Sequence, residues 1–191
     1  MKLQLEKISS IQMGYTFRTR LDFMDKGVTA VIQMKDLRDD NYVDCQNLAR
    51  IDMGRVKEHH LVKPGDIVFR SRGLVTTAAI LIEDPGTAVV ASPLIKIHLD
   101  SGVVQPEYLT WYINQPGVQA FLASRAKGTA QKMISKQTLS NLEIDLPSLE
   151  RQHAIVEVAE LARKEQHLLK EIAKRRNIYF SKKLMQAAQA N

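Results

Sequence analysis

Gly128-Thr129-Ala130-Gln131-Lys132-Met133-Ile134-Ser135, then Asn141-Leu142-Glu143-Ile144-Asp145-Leu146-Pro147, then a run from Ser148 to Asn191 with neither Gly nor Pro: this order decides how the chain is organised. It reads as a polar, basic loop, a short apolar strand and a long helix. Residues 148–191 are dominated by Ala, Leu, Glu, Lys, Gln and Arg, which are helix formers. Twenty-eight helical residues span about 42 Å, more than a compact domain of this size can cover. Ser148 suits the N-cap and Glu150 the first turn. Arg151 holds the third helical position, so no capping box forms.

Along that helix Ile155, Val158, Ala162, Leu169, Ile172 and Tyr179 fall near a/d spacing. Glu165 and Arg176 interrupt the seam, and Leu161 and Leu168 widen it into a broader stripe. Such a stripe needs a partner, either its own domain or another long helix. Its length and the absence of a breaker favour another helix for the distal half.

Upstream, residues 1–147 hold short β-like runs and turn signals. Val28–Met34, Ile67–Arg70, Ala78–Ile82, Ala88–Ala91 and Leu94–Leu99 read as strands. Lys63-Pro64-Gly65-Asp66 is a turn feeding the second of them, and Glu83-Asp84-Pro85-Gly86 separates the third from the fourth. Pro106–Asn114 reads as a helix with Pro in the permitted first turn, and Gly117–Ala126 as another. No repeat is visible. The expected class is α+β: a mixed α/β globular domain over 1–147, followed by a pairing helix over 148–191.

The chain has 191 residues, 45% hydrophobic and 25% charged, enough apolar content for a core and too little bias for disorder. Net charge is +6, which favours an anionic partner, nucleic acid first. Residues 150–191 hold nine lysines and arginines against five acids, and residues 1–149 eighteen against sixteen. Any phosphate footprint in the first region therefore comes from local clustering. Cys45 is the one cysteine, so no internal disulfide forms. The N-terminus lacks a signal-peptide h-region, and no apolar run approaches a membrane span, so a cytoplasmic location is expected.

Enzyme chemistry finds little support. Base methylation would need a Gly-rich cofactor loop and an Asn/Asp-Pro-Pro-Tyr/Phe motif; Asp145-Leu146-Pro147 is not one. A Walker A sequence is absent. Glu143 and Asp145 alternate on one strand face with Lys132 and Lys136 upstream, a weak match to a metal nuclease. His59 and His60 are adjacent and expected to point apart, and Cys45 has no nearby His. No metal or cofactor is implied.

Recognition chemistry is richer. Arg reads guanine and Gln or Asn reads adenine in the major groove, while Lys, Arg, Ser and Thr position the backbone. Three segments carry these side chains on turn-like backbone. One contains Tyr15, Arg18 and Arg20, with aromatic interleaving. Another is Arg70-Ser71-Arg72-Gly73, where two arginines at i, i+2 share a face and Gly73 allows close approach. The third runs from Arg125 to Lys136 and contains Lys127, Thr129, Gln131 and Lys132; no acid lies between Glu107 and Glu143. Lys35 and Arg38 beside Tyr42 form a weaker fourth, partly cancelled by Asp36, Asp39 and Asp40. Trp111 and Tyr112, on a short amphipathic helix, are expected to pack in the core.

Taken in order, Lys63-Pro64-Gly65-Asp66-Ile67-Val68, Ala91-Ser92-Pro93-Leu94-Ile95, Tyr108-Leu109-Thr110-Trp111-Tyr112, Gly128 to Ser135, and Leu142 to Pro147 with Gln152 at the helix start form a recognisable series. The chain resembles the specificity subunit of type I restriction-modification systems, most clearly over residues 61–185. The resemblance implies a non-catalytic protein in which target-recognition domains, each reading half of a bipartite site on double-stranded DNA, are separated by antiparallel long helices. It also implies docking of modification subunits that methylate adenine, and of a restriction subunit that cleaves. The family carries two such domains and this chain one. Three explanations follow: a half-subunit that homodimerises on a symmetric split site, a half that needs a different second half, or a segment of a longer subunit. The alternatives to this reading are a nuclease or DNA-modifying enzyme in its own right, and a helical adaptor with incidental basic loops.

Overall fold

The computed structural model describes residues 1–17, 27–54, 56–73, 76–128 and 132–189. It divides into two compact units, Met1–Gln152 and His153–Asn191. Among the described residues the strands are β1 (Lys2–Gln4), β2 (Ser9–Met13), β3 (Thr29–Ile32), β4 (Ala49–Ile51), β5 (Ile67–Arg70), β6 (Ala78–Ile80), β7 (Ala88–Val90), β8 (Leu94–Leu99) and β9 (Glu143–Asp145). The helices are α1 (Pro106–Ile113), α2 (Pro116–Ser124), α3 (Lys136–Ser140) and α4 (Leu149–Gln189). The α+β class expected from the sequence is what forms.

Among the described residues three sheets build the first unit. An antiparallel sheet runs β2-β8-β5-β6, a second runs β4-β3-β7 with β3 parallel to β7, and β1 pairs with β9. The core lies where the first two sheets face each other. Ala30 and Ile32 of β3 and Val90 of β7 pack with Val68, Ala79 and Leu94 of the other sheet. Val31, on the opposite face of β3, packs with Ile51 and Val89 under Tyr15, Phe17 and Met53. Burial on both faces explains why this strand reads as an unbroken apolar run instead of alternating. It is shorter than the expected Val28–Met34: Val28 is 68% exposed, and Met34–Asp36 is a 3-10 turn.

The chain crosses between these sheets at Gly14. Its N–H donates to Leu94 at 2.8 Å, and that of Tyr15 to Val90 at 2.6 Å. A Cβ on Gly14 would lie 2.6 Å from the Ala91 carbonyl carbon, so only glycine passes there. Lys63-Pro64-Gly65-Asp66 is the turn that the sequence announces. Gly65 has φ +90°, and the buried Asp66 carboxylate accepts from the Lys63 N–H at 2.9 Å. The same carboxylate bonds His98 Nδ1 at 2.6 Å. The turn Glu83–Gly86 joins β6 and β7, which enter different sheets. The edge of β6 is covered by the Asn114 amide, which donates to the Ala78 carbonyl and accepts from the Ala78 N–H, both at 2.8 Å.

Helix α1 buries Tyr108, Leu109, Thr110 and Ile113, while Trp111 and Tyr112 are half-buried, a partial correction to the core role expected of that pair. The Tyr108 hydroxyl donates to the Asp145 carbonyl at 2.7 Å, tying α1 to β9. Burial pushes that hydroxyl up to about 12, with Tyr112 and Asp145 adding to the effect. The apolar stretch 141–147 yields only three strand residues, because β9 is as long as its partner β1.

Helix α4 has 41 residues, about 61 Å at helical rise, so it extends well beyond the 28 residues considered above. The Ser148 hydroxyl accepts from the Arg151 N–H at 3.3 Å, as the sequence suggests for a cap. The unit boundary falls at Gln152, inside the helix, whereas 147/148 is the boundary suggested by composition. The reason is Gln152 itself, which is 0% exposed and bonds to Val103, Gln105 and Pro147.

Candidate nucleic-acid interface

Two of the basic segments meet as a miniature antiparallel ladder. Met133 lies opposite both Arg72 and Lys127. Lys127 and Met133 exchange N–H···O bonds of 3.0 and 2.9 Å, and the Ile134 N–H donates to Ser71 at 2.8 Å. Gly73, with φ +125°, brings its N–H to the Lys132 carbonyl at 3.4 Å. Directly opposed residues share a face, so Arg72 and Lys127 flank Met133, which is 41% exposed. Lys132, one residue earlier, belongs to the other face. Arg72, Lys127 and Lys132 are exposed, and none makes an ion pair among the described residues.

Of the expected segment from Arg125 to Lys136, the described residues therefore fall into three pieces: a helix end, the ladder residues and the start of α3. Its apolar residues explain this. Ile134 is 1% exposed and anchors the ladder, and the Ser135 hydroxyl caps α3 by accepting from the Thr138 N–H at 3.0 Å. Lys136, in the first turn of α3, is exposed. The Arg125 guanidinium lies 3.6 Å from the Phe121 ring centroid. Arg125 and Lys127 border a groove of about 850 Å³ between α2, α3 and the β1/β9 ribbon.

A second concavity, about 650 Å³, lies between Tyr15–Phe17, Gln33–Lys35 and Ala91–Pro93. The Tyr15 and Phe17 rings stand 4.9 Å apart at 50°, and Tyr15 meets His60 edge-on at 5.3 Å. Lys35 is exposed at its rim and makes no ion pair among the described residues. Main-chain and side-chain bonds tie this cleft to the ladder. Arg70 donates from Nη2 to the Met34 carbonyl at 2.5 Å, and the Ser71 hydroxyl donates to the Pro93 carbonyl. Arg70 is thus half-buried and committed to the protein, while Arg72 is exposed. Arg38 pairs with Asp40 at 2.6 Å. Arg18, Arg20, Thr129 and Gln131 lie outside the described residues. No local pattern could reveal that residues 70–72, 93, 127 and 132–134 adjoin, because the bonds joining the first two groups to the others span long stretches of chain.

The residues weighed for catalysis are placed as follows. Glu143 and Asp145 are exposed on β9; Asp145 accepts from the Tyr112 hydroxyl at 3.1 Å and lies 3.7 Å from Lys2 Nζ. Cys45 is half-buried, and burial, then the nearby Glu83, pushes its thiol up, away from nucleophilic use. His59 and His60 do not point apart. On the 3-10 turn Glu58–His60 their rings approach to 4.1 Å, because such a turn rotates successive side chains less than a strand does. Burial, then His59, lowers the affinity of His60 for a proton. Among the described residues no three His, Cys, Asp or Glu side chains converge to hold a metal ion.

In the second unit, Val158, Leu161, Leu168, Leu169, Ile172 and Tyr179 are all more than half exposed. Ala162 is exposed as well, and Ile155 is half-buried. Among the described residues no helix is long and apolar enough to cross a membrane.

Residues 1–174 match the type I restriction modification DNA specificity domain. A curated relative, the type I restriction enzyme EcoBI specificity subunit of Escherichia coli, is 27% identical over 128 residues, 66% of this chain and 27% of that protein. The fold resembles the HsdS subunit from Thermoanaerobacter tengcongensis, with TM-score 0.66, 19% identity, and coverage of 90% of this chain and 39% of that one. It also resembles a chain from a structure of type I R-M complex assembly and conformational transition, with TM-score 0.68, 18% identity, and coverage of 90% and 40%. This chain spans less than half the length of these relatives.

Proposed function

The chain belongs to the type I restriction modification DNA specificity family, and on that premise we propose that it selects the DNA sequence on which a modification complex acts, without catalysing a reaction itself. The unit Met1–Gln152 reads one half of a bipartite duplex target. The observation that carries this reading is the ladder of Arg72, Lys127 and Lys132 joined to an aromatic cleft: cations with no ion-pair partner among the described residues, beside rings and hydrogen-bonding side chains. Unpaired surface cations release counterions on meeting phosphates, and side chains near them are placed to meet base edges.

Helix α4 is the pairing element, presenting its stripe to a second copy or a second half-subunit, while DNA adenine methyltransferase subunits, and in a full system a restriction subunit, complete the assembly. Charge favours an antiparallel pair. Residues 150–169 hold four acids and three cations, whereas residues 170–189 hold six cations and one acid. Antiparallel packing sets unlike halves together; a parallel pair would stack the two cationic ends.

The test is selection of binding sites from randomised duplex DNA by the chain assembled with modification subunits. A recovered split motif, with affinity that falls steeply with salt, supports the reading. Binding without sequence preference sinks it, and cleavage or methylation by the isolated chain would establish the enzymatic alternative instead.

A further inference from the structure

The apolar stripe of α4 is broken by two charges, and they are complementary. Glu165 has Leu161, Ala162, Leu168 and Leu169 three and four residues away; Arg176 has Ile172, Ala173, Tyr179 and Phe180 there. Every neighbour positioned to pair with either charge along its own helix is therefore apolar. Both side chains are exposed, and neither makes an ion pair among the described residues. Elsewhere the helix does pair its charges internally: Arg163 with Glu160 at 2.5 Å, and His153 with Glu157 at 3.6 Å. Glu165 and Arg176 stand eleven residues apart, about three turns, so they share the face of the stripe.

A partner that covers the stripe covers both charges, and either one closed in without a counter-charge is costly. In an antiparallel pair of identical helices, residues equidistant from the twofold axis face each other. With that axis between Lys170 and Glu171, Glu165 faces the partner's Arg176, and Arg176 faces the partner's Glu165. The same register sets Leu169 against the partner's Ile172, and Ala162 against the partner's Tyr179. Sliding one copy by a heptad puts Arg176 against Ile172 or Val158 and leaves it without a carboxylate. A parallel, in-register pair stacks Glu165 on Glu165 and Arg176 on Arg176. Lys183, the remaining cation of the stripe in the second unit, falls opposite Val158 and beside Glu157. A different second half would have to supply both counter-charges at this spacing, whereas a second copy already does. We propose that α4 pairs antiparallel with a second copy of this chain, two crossed Glu165–Arg176 ion pairs fixing the register. The inference rests on the family reading above and deepens it. The partner is the same chain, and the two His153 positions lie about 52 Å apart along the pair. The two reading units are identical, so the half-sites they select are inverted repeats of one sequence.

The test is charge exchange in the full chain, with self-association measured by analytical ultracentrifugation. Glu165→Arg alone brings like charges together at both crossings, and so does Arg176→Glu. Each is expected to weaken self-association by about a hundredfold. An equimolar mixture of the two variants should recover the parent's affinity to within about tenfold, because opposite charges meet again at both crossings. Lys174→Glu is the control. It changes net charge as Arg176→Glu does, but it lies nine residues from Glu165, on the far side of the helix. It should self-associate as the parent does and should not rescue Glu165→Arg. All three positions are exposed in the single chain, so the variants fold as the parent does. The inference is overturned if the parent is a monomer, or if either single exchange pairs as tightly as the parent. It is equally overturned if Lys174→Glu rescues Glu165→Arg as well as Arg176→Glu does. Recovery in the mixture, with no motif selected from randomised DNA, sinks the DNA-reading function and leaves the pairing standing. A selected motif without recovery sinks the pairing alone.

Discussion

The Gln152 side chain accepts a hydrogen bond from the Gln105 N–H at 2.9 Å, while its amide nitrogen donates to Val103 at 2.9 Å and Pro147 at 3.0 Å. One fully buried amide thus holds the start of α4, the loop before α1 and the exit of β9. Replacing it with Leu leaves one buried donor and two carbonyls unpaired. The expected loss is on the order of 3 kcal/mol, or about 6–12 °C in melting temperature. Urea and thermal unfolding followed by the fluorescence of Trp111 measures it; an unchanged midpoint would mean that water replaces the amide.

Tyr108 makes stability depend on alkaline pH. Its hydroxyl ionises near 10 in an unfolded chain and at about 12 in the folded one, raised by burial first. The unfolded chain loses its proton earlier, so the contribution is whole below pH 10 and fades as pH rises towards 12. Its size is about 2–3 kcal/mol at most. Urea unfolding between pH 8 and 12 should show the parent's advantage over Tyr108→Phe narrowing above pH 10. Two parallel curves would contradict this.

Charge removal on the ladder should act on salt dependence more than on fold. Arg72→Ala, Lys127→Ala and Lys132→Ala each remove an exposed cation that has no ion-pair partner among the described residues. Each is expected to lower the slope of log affinity against log salt by about one. Titration of labelled duplex between 50 and 200 mM salt, conditions of the kind that separate such slopes, reads the effect. A slope that survives the triple change would place the phosphate contacts elsewhere.

Self-association through α4 predicts a mass near twice 21.6 kDa by light scattering. Leu169→Lys with Ile172→Lys puts two charges into the stripe, whose residues are 58% and 54% exposed in the single chain, so the fold of each copy is untouched. The double variant is expected to run as a monomer. A dimer that persists would remove this helix as the seam.

Much of the architecture was legible because it is written locally. The Lys63–Asp66 turn, the β5 and β8 runs, the Pro-started α1 and the uninterrupted α4 each follow from residue types at short spacing. β1, β2 and β4 were not legible. Strands of three to five residues such as Ser9–Met13 show no periodicity strong enough to stand out, and they exist because a partner strand is present. The cluster of cations from Arg125 to Lys136 was visible as charge, but its division into helix end, ladder and α3 was not. That division depends on Ile134 entering the core and on Ser71 offering its carbonyl.

By itself the sequence determined the class of the fold, the order of the elements that local pattern makes legible, the presence of a long uninterrupted helix with an apolar stripe, and an excess of cations in one acid-free stretch. These depend on propensity, pattern and composition, which act over a few residues. Only the tertiary structure decided which cations are spent and which are free. Arg70 and Arg72 are two residues apart and chemically identical, yet one is held by the Met34 carbonyl and the other faces solvent. Likewise Gln33 was one glutamine among many until folding sealed its amide nitrogen from water without an acceptor among the described residues. The physical reason is that hydrogen-bond satisfaction is a property of the whole packed molecule, and no window of sequence contains both partners.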